Sequence, residues 1–293
     1  CCVFIGSSPI RRYVEAWTLE DLQRLTNEAI GFAVQEGLAV MYVTEDTTRS
    51  KPEDVARLYN HAIGLGAERL VVCDTCGHAT PQGTFRLVKF VVDLARESGR
   101  DVKVDWHGHR DRGLDLENCV AAVRAGAEQI HGAALGIGER AGNAPMDLLL
   151  VNFKLLGWID RDLTALDDYT SLASKILKVD IPPNYPVFGK DAFLTGTGVH
   201  AAAVIKAMKK NDRWLADRVY SGVPAEEFGR RQTIGIGPMS GKSNVQFWLD
   251  RAGYNGADEG LIAAMFEGAK KSTHLLTDDE AHALARAYSN PKV

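Results

Sequence analysis

No stretch of this sequence approaches the roughly 20 consecutive apolar residues that a membrane-spanning helix needs, so no membrane partner is expected. A cationic surplus is missing too: 34 lysines and arginines face 38 aspartates and glutamates, for a net charge of -4. With no basic excess to neutralise phosphates, nucleic acid is not an expected partner. The acid surplus is small enough to serve solubility alone. Cysteine is sparse, with five in 293 residues. Cys73, Cys76 and Cys119 lie in apolar or helical contexts, which suits reduced thiols in a cytoplasmic protein. Cys73-x-x-Cys76 has redox spacing, but it sits at a strand end and not at a helix start, where thiolates are stabilised. Ordinary packing is therefore preferred over zinc or redox use. No signal peptide, low-complexity segment or long repeat is visible.

What is present is a repeating grammar. A 45% hydrophobic chain of this length buries one large core with a small appended domain. Short apolar runs at Cys2 to Ile5, Leu38 to Val43, Leu70 to Cys73, Val102 to Trp106 and Gln129 to Leu135 read as strands buried on both faces. Between them lie helical stretches with start and stop signals. Thr18-Leu-Glu-Asp21 and Ser50-Lys-Pro-Glu53 read as capping boxes, and Pro81 after Thr80 as a first-turn proline. Gly37, Gly66 and Gly126 mark helix ends. The strands recur roughly every thirty residues, the size of one βα unit.

Strand-helix alternation leaves a doubly wound sheet or a (β/α)8 barrel, the TIM barrel. Five successive strands end in polar residues: Ser7-Ser8, Thr44-Glu45-Asp46, Asp74-Thr75, His107-Gly-His109 and the segment from Gly136 to Asn143. A doubly wound sheet concentrates function at one crevice, whereas a barrel spreads it over all strand ends. The barrel is the expected fold: α/β, with residues 1–157 supplying strands four to eight of a TIM barrel. The first three βα units, on the order of 90 residues at this repeat size, are expected to be missing from this chain. After Gly157 the pattern becomes helical, so residues 158–293 are expected to form a small, mostly helical C-terminal region contributing to a dimer and to the active site.

His107 and His109 are the leading site candidates. Residues i and i+2 of a strand point to the same side, which suits two neighbouring positions on one divalent metal. Asp105, two residues earlier, is placed to orient a ligand or to serve structure. Asn143 follows three loop glycines and offers a carbonyl oxygen to a metal, an amide to a substrate, or a cap to the helix beginning near Pro145. Glu139 and Arg140 make an ion pair available to hold that loop. Thr44 to Ser50 sets two carboxylates and Arg49 at a strand mouth, one carboxylate for acid–base work and the other for Arg49. Asp74-Thr75 offers a hydroxyl to a carboxylate group. His200, opening a helix after a glycine-rich turn, reads more readily as structural when taken alone. Ser240-Gly-Lys-Ser243 is only half a phosphate loop with no strand before it, and Gly235-Ile-Gly237 has no Rossmann context, so nucleotide hydrolysis is set aside.

The strings HGHRDRGL and GIGERAGNAP, with VFIGSSPI, VTEDTTRS, CDTCGHATP and GTGVHAAAVIK in the same order, resemble the Asp-Arg-Glu-type barrel metalloenzymes, in the branch of 2-isopropylmalate, homocitrate and citramalate synthases. The resemblance covers nearly the whole chain. It implies His107 and His109 as metal ligands with Asn143 beside the metal. It implies Thr75 as holder of the acceptor's carboxylate, and Glu45 and His200 as acid–base residues, His200 reaching a partner's site in a homodimer. Arg110 and Glu139 join Thr75 as substrate-binding candidates. The implied cofactor is a divalent metal, Mg²⁺ or Mn²⁺ first and Zn²⁺ second. The implied reaction joins acetyl-CoA to a small-molecule 2-oxo acid and releases CoA, as in leucine and related amino-acid biosynthesis. A metal-dependent 3-hydroxyacyl-CoA lyase or aldolase is the alternative, disfavoured because the loop Gly136-Ile-Gly138-Glu139 lacks the lyase branch's cysteine.

Departures are informative. The family's first-strand Asp, Arg and Glu have no counterpart in these residues. The usual His-x-His-Asn-Asp reads His107-Gly-His109-Arg110-Asp111, placing a new cation at the mouth. The family's Gly-Lys-His-Ser-Gly reads Gly237-Pro-Met-Ser-Gly241. No leucine-sensing segment follows Val293, so feedback of that kind is not expected.

Overall fold

A computed structural model describes residues 1–289. The chain divides into two compact units, Cys1–Asn152 and Phe153–Val293. Among the described residues no helix is long and apolar enough to cross a membrane.

The first unit is a five-stranded parallel sheet in sequential order: β1 (Cys2–Gly6), β2 (Met41–Glu45), β3 (Arg69–Asp74), β4 (Lys103–Gly108) and β5 (Gln129–His131). Two helices, α1 (Pro9–Glu15) and α2 (Leu19–Gln35), link the first two strands; α3 (Pro52–Leu65), α4 (Pro81–Glu97) and α5 (Asp115–Ala125) link the rest. Sequential order has no switch point, so the sheet winds in one direction, as in a barrel, and successive right-handed crossovers deliver the helices to one face. Consistent with this, α2, α3, α4 and α5 pack each on the next. The first unit's last residues lie in α6 (Met146–Leu155), within which the boundary falls.

Alternation decides what each face holds. On β2, Tyr42 and Thr44 are fully buried while Met41, Val43 and Glu45 are half-buried. The helix-covered side is tied by hydroxyls. The Tyr59 hydroxyl on α3 donates to Val71 O at 2.8 Å and lies 2.7 Å from Thr44 Oγ. Thr44 Oγ is also 2.7 Å from Thr47 Oγ, which accepts from Cys73 N–H at 2.9 Å. Burial pushes the Tyr59 phenol well above its ordinary range, as it does the Cys73 thiol.

Several local expectations meet their structure here. Thr18 and Asp21 form a reciprocal capping box on α2, and Thr80 caps α4 ahead of Pro81. Gly66 and Gly126 close α3 and α5 at φ 108° and 106°. Ser50 does not cap α3. Pro52 takes the first helical position, so extended Lys51 is the N-cap. The Ser50 hydroxyl instead meets Ser7 Oγ at 2.7 Å. The last strand is shorter than Gln129 to Leu135, because Leu135 turns to φ 55° inside a 3₁₀ turn over Ala134–Gly136.

The second unit is mainly helical: α7 (Leu166–Leu177), α8 (Gly198–Lys209), α9 (Arg213–Arg218), α10 (Lys242–Arg251), α11 (Glu259–Lys271) and α12 (Asp278–Ser289). A small parallel pair, β6 (Leu194–Thr195) and β7 (Thr233–Ile234), was not foreseen in the sequence. Val245, Leu249, Ile262, Met265 and Ala285 form the core that joins α10, α11 and α12.

Tyr59→Phe removes a buried hydroxyl with two partners, Val71 O and Thr44 Oγ, at an expected cost of about 1–2 kcal/mol. Urea unfolding checks this: the midpoint falls while the slope stays unchanged.

Candidate active site

The strand C-termini of the first unit gather the candidate residues. Register pairing places Cys73, His107 and His131 side by side across β3, β4 and β5, and Val71, Asp105 and Gln129 one step below. All face away from the helices. His107 and His109 have ring centroids 5.3 Å apart, and His107 and His131 5.6 Å apart. Glycine separates the two ligand candidates for a steric reason. A Cβ on residue 108 would stand 2.9 Å from Nε1 of the fully buried Trp106.

Burial, then the neighbouring His131 and His109, lower the His107 pKa to about 4. An imidazole held neutral is the form that donates a lone pair to a metal. Asp105 is fully buried, yet it does not orient His107. It pairs with Arg69 Nη1 at 2.5 Å and lies 3.3 Å from His131 Nε2. His131 was not singled out from the sequence. The signal lay in register, since a strand ending at His131 sets it beside His107.

His109 lies one bridge beyond β4, opposite Asn143. The Asn143 amide nitrogen donates to Ile137 O at 3.2 Å, and its Oδ1 accepts from no N–H, so its side chain does not cap α6. Asn143 Oδ1 and His109 Nδ1 are both buried without a partner. Gly138 permits that arrangement, because a Cβ there would fall 2.0 Å from Asn143 Nδ2. Buried polar atoms are rarely left unpaired. Two such acceptors at one β-bridge, beside a neutral imidazole, form a nitrogen-and-oxygen donor set that fits a divalent cation. No cluster of three His, Cys, Asp or Glu side chains is gathered among the described residues.

The loops around this cluster are held by Arg140, at φ 56°. Its guanidinium grips Asp111 with two bonds of 2.7 and 3.0 Å and donates to Thr75 O at 2.7 Å. Glu139 is 3.7 Å from Arg140 with its side chain 84% exposed, so Asp111 is the stronger partner of the two. Thr75 Oγ accepts from Asp46 N–H at 2.8 Å, which leaves its hydroxyl hydrogen free to donate. Asp46, at φ 58°, takes Arg49 through two 2.7 Å bonds. Glu45 is therefore the carboxylate of that pair without a tight partner; Arg11 lies 4.0 Å away. Asp74 is consumed by Thr48 and by the N–H groups of His78 and Ala79. His200 lies in the second unit, exposed at the start of α8, stacked on Tyr220 with centroids 4.1 Å apart. All five cysteines are free, and Cys76 Sγ accepts from Arg49 at 3.1 Å.

The HMGL-like family model matches residues 2–174, more than half of the chain. The chain belongs to the HMGL-like family. It is 33% identical over 262 residues to a probable 2-isopropylmalate synthase of Methanopyrus kandleri, covering 88% of this chain and 50% of that one. It is 32% identical over 277 residues to a homocitrate synthase of Pyrococcus horikoshii, covering 94% of this chain and 72% of that one. The chain thus spans about half the length of the first of these relatives. Among solved structures, hydroxymethylglutaryl-CoA lyase from Pseudomonas aeruginosa aligns with TM-score 0.53 at 20% identity over 61% of this chain and 63% of that one. The shared fold is the TIM barrel of HMGL-like proteins, built on a parallel sheet.

Two measurements follow from this geometry. NMR titration of metal-free protein is expected to place the His107 midpoint near pH 4. Its folded pKa lies below the unfolded value near 6.5, so the unfolded state binds more protons between the two. Stability from this residue is complete above pH 6.5 and declines as pH falls toward about 4. Separately, Gly138→Ala displaces the Asn143 amide and lowers divalent-metal affinity by about 10–100-fold, read by calorimetry, while far-UV circular dichroism is retained.

Proposed function

We propose that this chain is the barrel-bearing part of a synthase that joins acetyl-CoA to a 2-oxo acid, of the 2-isopropylmalate, homocitrate or citramalate type. The observation that carries the reading is the pairing of neutral His107 with the unpartnered His109 Nδ1 and Asn143 Oδ1 at the strand mouth. The names of its relatives, a 2-isopropylmalate synthase and a homocitrate synthase, support the same chemistry.

In this reading His107, His109 and Asn143 hold a divalent metal, Mg²⁺ or Mn²⁺ first, with the rest of its coordination left to oxygen donors. Such an ion, when bound, polarises the acceptor's keto carbonyl as a Lewis acid. The Thr75 hydroxyl donates to the acceptor's carboxylate, positioned by Asp46 N–H and by the Arg140 bond to Thr75 O. Glu45 takes or returns a proton at the acetyl methyl carbon, since Asp46 is neutralised by Arg49 and Glu45 is not. His200, exposed at the start of α8, is assigned as the second acid–base group, acting within a homodimer. The acetyl carbanion equivalent attacks the keto carbon, and water then cleaves the thioester to free CoA.

The test is thiol release from acetyl-CoA by the full-length protein with a panel of 2-oxo acids and Mg²⁺ or Mn²⁺. Release with at least one acceptor is expected. His109→Ala is expected to lose more than the ~10–100-fold that outer partners of a metal cost. Absence of release with every acceptor overturns the reading.

A further inference from the structure

We propose that the acceptor 2-oxo acid carries a second carboxylate and that Arg110 is the side chain that reads it. This rests on the condensation reading above, which places the 2-oxo group at the cluster of His107, His109 and Asn143.

The charges at the strand ends sort themselves almost completely. Asp46 is neutralised by Arg49, Asp105 by Arg69 and Asp111 by Arg140. Asp74 is satisfied by a hydroxyl and two N–H groups, and Arg112 donates to His78 O. Arg110 is the cation left over. Among the described residues its guanidinium has no carboxylate within ion-pair distance, and none of the hydrogen bonds of this region involves it. It is only half-exposed.

Its seat is built. The Arg110 main chain is pinned on both sides, its N–H donating to Gly142 O at 3.1 Å and its carbonyl accepting from Gly113 N–H at 2.8 Å. Its stem runs over Gly142, where an added Cβ would stand 3.2 Å from Cδ. Its head lies over Gly136, where an added Cβ would stand 2.7 Å from Nη1 and 2.8 Å from Asn143 O. Gly136, at positive φ, therefore leaves room for this guanidinium beside the backbone of Asn143, while Gly142, also at positive φ, lies first against the Gly136 carbonyl. The residue also directly follows His109. A cation is thus fixed next to two of the three donor residues, on the loops that leave β4 and β5.

Holding a guanidinium part-way out of water costs free energy that an anionic partner offsets more fully than a neutral acceptor does. Its planar fork matches a carboxylate through two parallel bonds. Thr75 accounts for one carboxylate of the acceptor; Arg110 is placed for another. An acceptor with an apolar tail leaves the fork unpaired and is rejected for that reason, since sites built to bind a polar group discriminate strongly against analogues that lack it.

The experiment compares 2-oxoglutarate and oxaloacetate with 2-oxoisovalerate and pyruvate, using the full-length protein with Mg²⁺. The wild type is expected to favour a dicarboxylate by about 100-fold or more in kcat/KM, and Arg110→Gln to collapse that ratio by about the same factor. The change is carried by the acceptor's KM, with the KM for acetyl-CoA moving less than about twofold. Arg110→Lys restores part of the ratio, which a general loss of folding does not. Preference of the wild type for a monocarboxylate overturns the inference, as does an unchanged ratio in Arg110→Gln. A shift in the acetyl-CoA KM in place of the acceptor's also overturns it, by assigning Arg110 to the CoA phosphates. Calorimetric titration with 2-oxoglutarate and 2-oxoisovalerate separates this inference from the parent reading. Arg110-dependent binding of 2-oxoglutarate without CoA release leaves the inference standing while the condensation reading falls. Equal binding of the two acids, or none, overturns the inference.

Discussion

Three strand-exit loops meet on one guanidinium. Arg140, from the loop after β5, grips Asp111 after β4 and the carbonyl of Thr75 after β3. Parallel strands deliver their C-termini to one end of the sheet, but nothing in the sheet's own hydrogen bonding fixes the loops beyond it. The two-bonded pair supplies that fixation with defined geometry as well as attraction. Asn143 stands three residues past Arg140 and Arg110 one residue before Asp111, so the clamp ties together the loops that carry Asn143, His109 and Arg110. The φ of 56° at Arg140 costs some backbone energy, and such strain persists where the surroundings over-determine it.

The two faces of the sheet divide the work. The helix-covered side holds fully buried Tyr42, Tyr59, Leu70, Val72 and Trp106, and its hydroxyls satisfy one another. The opposite side carries Arg69, Asp105, His107 and His131 in register, where apolar packing gives way to charge and imidazole. Placing Asp105 at zero exposure is tolerable because both oxygens are engaged, one by a guanidinium and one by an imidazole. That arrangement leaves His107 without an acid of its own, so desolvation and two neighbouring imidazoles keep it neutral. An imidazole held neutral in this way has a lone pair available near neutral pH without first losing a proton.

Much of this was legible in the residues. The period of apolar runs gave parallel strands, the polar strand ends gave a mouth, and His107 and His109 share a side because strand residues alternate. Local chemistry decided where reading failed. Ser50 looked like a cap, but the proline two residues on moved the cap to Lys51 and freed Ser50 for Ser7. Which of Glu45 and Asp46 would pair with Arg49 was not readable from spacing, because both lie within reach; the left-handed turn at Asp46 aims that side chain at Arg49. Asp111 and Arg140 are 29 residues apart, and only the adjacency of β4 and β5 brings them together. His131 stayed hidden because an apolar run extended to Leu135 conceals where the strand stops, and so conceals its register with His107.

The glycines of the mouth carry the same logic to its end. At Gly138 and Gly136 the space of the missing Cβ is taken by a polar side chain, whereas Gly142 yields first to the Gly136 carbonyl and Gly108 to an indole of its own strand. Two of the four therefore mark where the Asn143 amide and the Arg110 guanidinium lie. Composition alone reads the glycine-rich segment as a flexible loop. Its contacts show backbone kept bare for the Asn143 amide at Gly138 and for the Arg110 guanidinium at Gly136.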